Sequence, residues 1–425
     1  MKKTFLILAA ISLMGSAPST SLADSLADWL SAIDDVNPSV IAARAKWRAA
    51  EAMIDQAAGW TDPMIGVDVM RDNTGFDDYS ALEYMIEQEA PWPGRLGVAR
   101  DVARLEAEAV GYEMLEIRRQ IRAGITAATW ELWAARKSVE TLRENVALTR
   151  QLADVTRARL EAGQAPQTDW LRMQVELEKM RNEVVTLERE VDVSLARLNA
   201  LLNAPPNTPR STDTMPPLPE LTGSIQQLQE DARQYCCILM ATLWRERARD
   251  LARTSARLAQ RPHLTFRVEA RQFRDSGSID EYDTGVFLNF PWLWRGKYKA
   301  LHAEAEADLS MARAELDEET AMTLTDIQEL FTEAESRLRS VKLYETTILP
   351  QTQALAESSR EAYPAGMMPA MELLDAQRMV QDALMTLYRE TAAYAGTHAN
   401  LMAIAQPWTP DEFDTGLPLH QEENP

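Results

Sequence analysis

Two hydrophobic periods alternate along this chain, and the pair then recurs. From Gly94 to Ala162 there is no proline, and Leu132, Ala135, Val139, Leu142 and Val146 fall at spacings of three and four. That rhythm predicts one long helix whose apolar seam packs on neighbouring helices. Arg295 to Ala362 repeats it in Ile327, Phe331, Ala334, Leu338 and Val341. Pro350 predicts a kink there, because a proline inside a helix forfeits a backbone hydrogen bond. Ahead of each long helix the period drops to two. Ile65, Val67 and Val69 alternate with Gly66, Asp68 and Met70, and Leu82, Tyr84 and Ile86 with Glu83, Met85 and Glu87. In the second half Leu264, Phe266, Val268 and Ala270 alternate with Thr265, Arg267, Glu269 and Arg271, followed by Val286, Leu288 and Phe290 against Gly285, Phe287 and Asn289. Each run reads as a strand with one apolar face and one largely polar face.

Landmarks repeat in order. Asp62-Pro63 precedes the first strand as Arg261-Pro262 precedes the third, Pro91-Trp92-Pro93-Gly94-Arg95 resembles Pro291-Trp292-Leu293-Trp294-Arg295-Gly296-Lys297, and the turn at Gly163 has a partner at Gly366. The offsets are all about 200 residues, so the two halves share one layout. The expected organisation is a signal segment at 1–23; a first repeat at 24–203, with strands at about 63–71 and 81–91 and the long helix at about 94–162; and a connector at 204–223. A second repeat follows at 224–405, with strands at about 262–273 and 282–291 and the long helix at about 295–362, and then a tail at 406–425. At ~1.5 Å per residue the first long helix extends roughly 100 Å, and the flanking helices, over about 25–58 and 168–203, roughly 50 Å each. Two short helices stacked end to end therefore match one long rod, with the proline-rich connector near mid-height.

Alternation alone leaves two readings of the hairpins. One is an ordinary hairpin packed on a soluble core. The other is a barrel wall with lipid outside and water inside, for which spanning strands need ~9 to 11 residues. Trp60, Trp92, Trp292 and Trp294 all fall at the hairpin bases, which suits an aromatic membrane-interface belt, with packing beneath a loop as the alternative. Four strands cannot close a barrel, and an open sheet edge cannot face lipid. Spanning hairpins would therefore require an oligomer: three chains supply twelve strands, and two supply the minimum of eight.

Composition narrows the function classes. The chain has 425 residues with 44 basic and 65 acidic side chains, a net charge of -21. A balance this acidic argues against a nucleic-acid surface, which needs clustered cations. Sixteen Gly and abundant Ala, Leu, Glu and Arg favour a mostly helical chain. Length alone suggests two or three globular domains at ~150 residues each, but the repeat replaces these with two interleaved halves of one elongated subunit. Lys2 and Lys3 precede an apolar run from Phe5 to Met14, and Ser21-Leu22-Ala23 offers small residues for signal-peptide cleavage after Ala23. No Cys lies near that point to carry a lipid anchor. No later run of ~18 apolar residues predicts a spanning helix, which leaves a barrel open.

These features together resemble the TolC family of bacterial outer-membrane efflux channels. The resemblance covers nearly the whole chain after residue 23: the repeat, the Pro before each first strand, the strand-to-helix motifs at Gly94 and Gly296, and Ala362-Tyr363-Pro364-Ala365-Gly366 followed by Glu372-Leu373-Leu374-Asp375-Ala376-Gln377. Within the family the chain is most similar to members coupled to metal-exporting pumps of the resistance-nodulation-division class. The resemblance implies a mainly helical fold with a membrane β-barrel part: a homotrimer with a twelve-stranded barrel in the outer membrane continuing into a periplasmic helical tunnel. An inner-membrane pump and a periplasmic adaptor would dock at the tunnel tip. No covalent chemistry and no cofactor are implied.

The resemblance also implies residue roles. Glu372 and Asp375, three apart and so on one helix face, match the acidic residues that narrow the tunnel entrance. Six such carboxylates around one axis would attract cations and respond to divalent ions and pH, although a solvated acidic pair is the commoner origin of this spacing. Tyr363 and Asp169 occupy positions whose hydrogen bond helps hold the closed tip. The basic residue expected after Gly366 is replaced by Met367 and Met368, with Arg360 or Arg172 as substitutes. Gly163 and Gly366 would take the left-handed backbone of tight turns, where the adaptor docks.

Other signals weigh less. Cys236-Cys237 allows a vicinal disulfide or a soft-metal site, though buried structural cysteines are commoner. Met367, Met368 and Met371 offer thioethers for Cu(I), but Met is more often packing material. His263, His302, His398 and His420 lack ligand spacing. The competing function is a soluble periplasmic coiled-coil adaptor or scaffold; an enzyme is disfavoured because no nucleophile-base pair or metal set emerges.

Overall fold

A computed structural model describes residues 25–71, 79–363 and 367–407. The signal segment, the loop at 72–78, Gly366 and the tail beyond Pro407 lie outside the described residues. The first repeat opens with two stacked helices, α1 (Leu26–Val36) and α2 (Pro38–Ala58). They part at Asn37, whose side chain accepts from the Ser39 and Val40 amides while Pro38 occupies the first helical position. A proline there loses nothing, since that amide has no helical partner. Strands β1 (Met64–Met70) and β2 (Ala81–Ala90) follow, then the 67-residue helix α3 (Arg95–Glu161) and α4 (Gln167–Leu201). Gly94 caps α3 at φ +87°, and Gly163 turns the chain towards α4 at φ +70°. A Cβ would be strained at either position.

The second repeat has the same plan: α5 (Ile225–Tyr235), α6 (Cys237–Leu258), β3 (Leu264–Phe273), β4 (Ile279–Leu288), α7 (Arg295–Leu343), α8 (Leu349–Ala362) and α9 (Ala370–Ala405). Cys236 stands where Asn37 stood, at the break between the stacked helices. Ahead of Pro350, where a kink is expected, a π turn at Tyr344–Ile348 separates α7 from α8, and its wider hydrogen bonding accommodates the missing proline donor. Strand β4 lies three residues earlier than the expected 282–291. A register shift at Arg271/Gln272 and a turn through Gly277 at φ +63° start it early, and Pro291 opens a 3-10 turn to Trp294.

Packing is organised along the α3 rod rather than around one centre. One half of α3 packs on α1 and α2 and the other on α4, while α6 and α9 cover a second side and α7 closes over both. The core is accordingly a string of clusters. Trp47, Tyr112 and Leu115 meet Cys237 and Ala241 nearest the sheet; Trp29, Ile33, Ile125, Leu132 and Leu198 meet near the middle; Ala153, Met173, Tyr363, Leu373 and Leu374 meet at the tip. Each fully buried Leu or Ile contributes about 1.5–3 kcal/mol.

The connector is tied to α4 and α9. Asn37 donates to the Leu201 carbonyl at 2.7 Å, and Asn199 donates to those of Pro206 and Thr208 at 2.9 and 2.8 Å. The Tyr394 hydroxyl donates to the Pro219 carbonyl at 2.8 Å. These bonds fix where one short helix ends and the connector begins.

Candidate functional site

All four strands form one antiparallel sheet in the order β1-β2-β3-β4, so the two repeats are joined through β2 and β3. Directly paired residues share a face, and the register sorts them sharply. One face carries the rows Ile65-Ile86-Val268-Thr284 and Val67-Tyr84-Ala270-Tyr282. The other carries Asp68-Glu83-Arg271-Glu281 and Gly66-Met85-Glu269-Asp283. Exposure is the reverse of a soluble protein: Ile65 is 74% exposed, Tyr282 70% and Val286 65%, whereas Glu83, Glu269 and Arg271 are half-buried. An apolar patch of this kind marks a surface built for lipid or a partner. The outer edges of β1 and β4 carry backbone donors and acceptors that no strand among the described residues pairs.

On the charged face Glu83 and Glu87 each meet an arginine of β3. Arg267 Nη2 lies 2.7 Å from Glu87 Oε2, and Arg271 Nε lies 3.1 Å from Glu83 Oε2. Arg271 also reaches Glu281 and Asp283 at 3.2 Å. The face remains acidic on balance, since Asp68, Glu83, Glu87, Glu269, Glu281 and Asp283 outnumber Arg267 and Arg271. Cross-strand pairing could not be read before the register of β2 on β3 was known.

At the base of the hairpins, Trp60, Trp292 and Trp294 are largely exposed and Trp92 partly so. Trp292 meets Phe290 edge-on with ring centroids 5.3 Å apart. The guanidinium of Arg261 sits 5.9 Å over the Trp92 ring. Among the described residues none of the four joins a buried core cluster.

The opposite end holds the tip. Glu372, in the first turn of α9, and Asp375 are both exposed on one face. Asp375 lies 3.6 Å from Arg378, which also pairs with Glu176 of α4. Tyr363 does not bond Asp169. Its ring is 4% exposed, its hydroxyl shares a 2.9 Å hydrogen bond with Thr156 of α3, and Arg159 stacks 4.6 Å over the ring while donating to the Tyr363 carbonyl at 3.2 Å. Thr156 and Arg159 lie on the rod two turns or less before Gly163 and so reach Tyr363 before Asp169 does. Arg360 pairs with Glu357 on its own helix and forms no latch. Sequence reasoning missed Thr156, Arg159 and Arg378; Arg159 opens the very turn motif that marks the repeat.

That geometry carries a prediction. Tyr363→Phe removes one buried hydrogen bond and loosens the tip by about 1 kcal/mol, seen as faster amide exchange over residues 156–162. Asp169→Asn leaves that exchange unchanged. The reverse ranking would show that Thr156 is not the operative partner.

Cys236 and Cys237 are both buried, and no disulfide joins them. Burial pushes the Cys236 thiol up, and also raises the carboxyls of Glu116 and Glu319 beside it, so the thiolate that a soft metal needs is disfavoured. Met368 and Met371 pack on the tip cluster. Among the described residues no group of His, Cys, Asp and Glu is arranged to hold a metal ion, and no helix is long and apolar enough to cross a membrane.

Known proteins share this architecture. VceC from Vibrio cholerae superposes with a TM-score of 0.75 at 16% identity, covering 90% of this chain and 97% of that one. The open-state channel MtrE of Neisseria gonorrhoeae gives 0.77 at 14%, covering 90% and 89%, and CusC gives 0.77 at 15%, covering 90% and 92%. At such identities the likeness is one of fold. No curated protein matches the sequence. The family model described as outer membrane efflux protein matches residues 29–204 and 228–405, one range for each repeat. With both repeats matched, the chain belongs to the outer membrane efflux protein family.

Proposed function

We propose that three copies of this chain form the outer-membrane channel of a tripartite efflux system. The observation that carries this reading is the inside-out sheet: an exposed apolar face, a charged inner face, and two edges that only another subunit can pair. Twelve strands would close the barrel, and three sets of long helices would continue it as a periplasmic tunnel. Trp60, Trp92, Trp292 and Trp294 would mark the periplasmic membrane interface. A pump of the resistance-nodulation-division class would supply the energy, and a periplasmic adaptor would seat on the turns at Gly163, Asp169, Tyr363 and Gly366. Glu372 and Asp375 would line the gate, and metal ions or small toxic compounds would pass without covalent change.

A soluble adaptor is disfavoured by the same sheet, since water would then meet its whole apolar face. Cell fractionation tests the choice. Heat-modifiable trimers in outer-membrane extracts are the expected result; full release with the periplasmic contents contradicts it.

A further inference from the structure

On the charged face of the sheet, one guanidinium gathers carboxylates from three strands. Glu83 of β2 lies 3.1 Å from Arg271 Nε, Glu281 and Asp283 of β4 each lie 3.2 Å from Nη1, and Glu269 of β3 lies 3.8 Å from Nη2. Arg267 does the same on a smaller scale, meeting Glu87 at 2.7 Å and the other oxygen of Glu269 at 3.3 Å. Ion pairs therefore run unbroken from Glu87 through Arg267 and Glu269 to Arg271, and there fan out to the remaining carboxylates.

The sheet does not need this cluster to hold together. Backbone ladders already join β2 to β3 and β3 to β4, and solvent-facing ion pairs add little to stability. What the cluster does alter is what a cation meets on this face. Carboxylates close enough to share one guanidinium are close enough to share one divalent ion, because Ca²⁺ and Mn²⁺ are hard cations that gather several oxygen ligands. With Arg271 among them, its donors occupy those oxygens and its charge repels a second cation. Among the described residues no group of acids is arranged to hold a metal ion.

We propose that Arg271 is a tethered counter-ion: it fills the place a divalent cation would take, and so keeps the barrel wall from retaining the cations that its acidity draws in. This role rests on the barrel reading above, since the face meets passing ions only where the sheet closes around water. Five carboxylates against two guanidiniums leave the cluster negative, which concentrates cations near the wall. The guanidinium never discharges, and its covalent tether keeps it from being exchanged for an ion in transit. Attraction is thereby separated from retention, which a conduit for cations requires.

Full-length oligomers carrying Glu372→Ala and Asp375→Ala provide the background for the test, because the acidic pair at the tip is gone. Mn²⁺ bound per chain is counted by electron paramagnetic resonance, and single-channel block is measured with Mn²⁺ added from the barrel side. Arg271→Gln should gain about one Mn²⁺ per chain and reach half-block at an at least about tenfold lower Mn²⁺ concentration than the background. Arg271→Lys, which keeps the charge, should match the background, and adding Glu281→Gln and Asp283→Asn to Arg271→Gln should abolish the gain. The count needs no conducting pore, so a failed conduit and a failed role for Arg271 give different results. Mn²⁺ bound to the background itself, and lost with Glu281→Gln and Asp283→Asn, overturns the proposal. So does an Arg271→Gln oligomer that gains no Mn²⁺, and so does a loss of assembly in that variant that Mn²⁺ fails to restore, which would make Arg271 a staple of the sheet.

Discussion

Val268→Arg is expected to abolish assembly. Val268 sits at the middle of β3, in the row Ile65-Ile86-Val268-Thr284, on the face that the proposed barrel turns to lipid. An arginine at bilayer mid-depth costs ~2–4 kcal/mol, and three copies bear it at once. Heat-resistant trimers in outer-membrane extracts should fall below detection. Were the sheet in water, the same change would cost within about 0.5 kcal/mol, because the side chain is already half exposed. Met85→Arg is the matched control. It places the same charge one residue along the neighbouring strand, beside Glu269 and Asp283 on the inner face, and trimers should persist. Equal tolerance of both substitutions would remove lipid from the account of this sheet.

The second large effect is at the gate. In a trimer Glu372 and Asp375 would place six carboxylates about one axis, where like charges concentrate cations by an order of magnitude or more. Glu372→Ala with Asp375→Ala should change single-channel conductance and weaken block by divalent ions on the order of tenfold. Arg378 sharpens the test. Because it neutralises part of this cluster, Arg378→Ala should strengthen divalent block while leaving the two carboxylates in place. If conductance and block are the same in all three proteins, the constriction lies elsewhere.

Much of the architecture was legible because it rests on period and repetition. The threes and fours from Leu132 to Val146 specified the rod, and the alternation around Val67 and Val268 specified strands. Gly94 and Gly163 mark turns in the sequence and adopt positive φ in the structure. What stayed hidden depends on register between distant segments. The register of β3 on β2 sets Arg267 and Arg271 opposite Glu87 and Glu83, which alternation along each strand does not reveal. Tyr363 looked like a partner for Asp169 because both flank turns, yet α3 delivers Thr156 and Arg159 to it first. The early start of β4 follows from one irregularity, at Arg271/Gln272, that no periodicity announces.

Single-channel recording of the purified oligomer in planar bilayers tests the central claim most directly. Trimers that insert and give discrete, long-lived conductance steps, with cations favoured by the acidic inner face, are the predicted result. Oligomers that incorporate into the membrane yet leave it electrically silent, both as purified and with Glu372 and Asp375 replaced by Ala, would contradict a conduit of any kind.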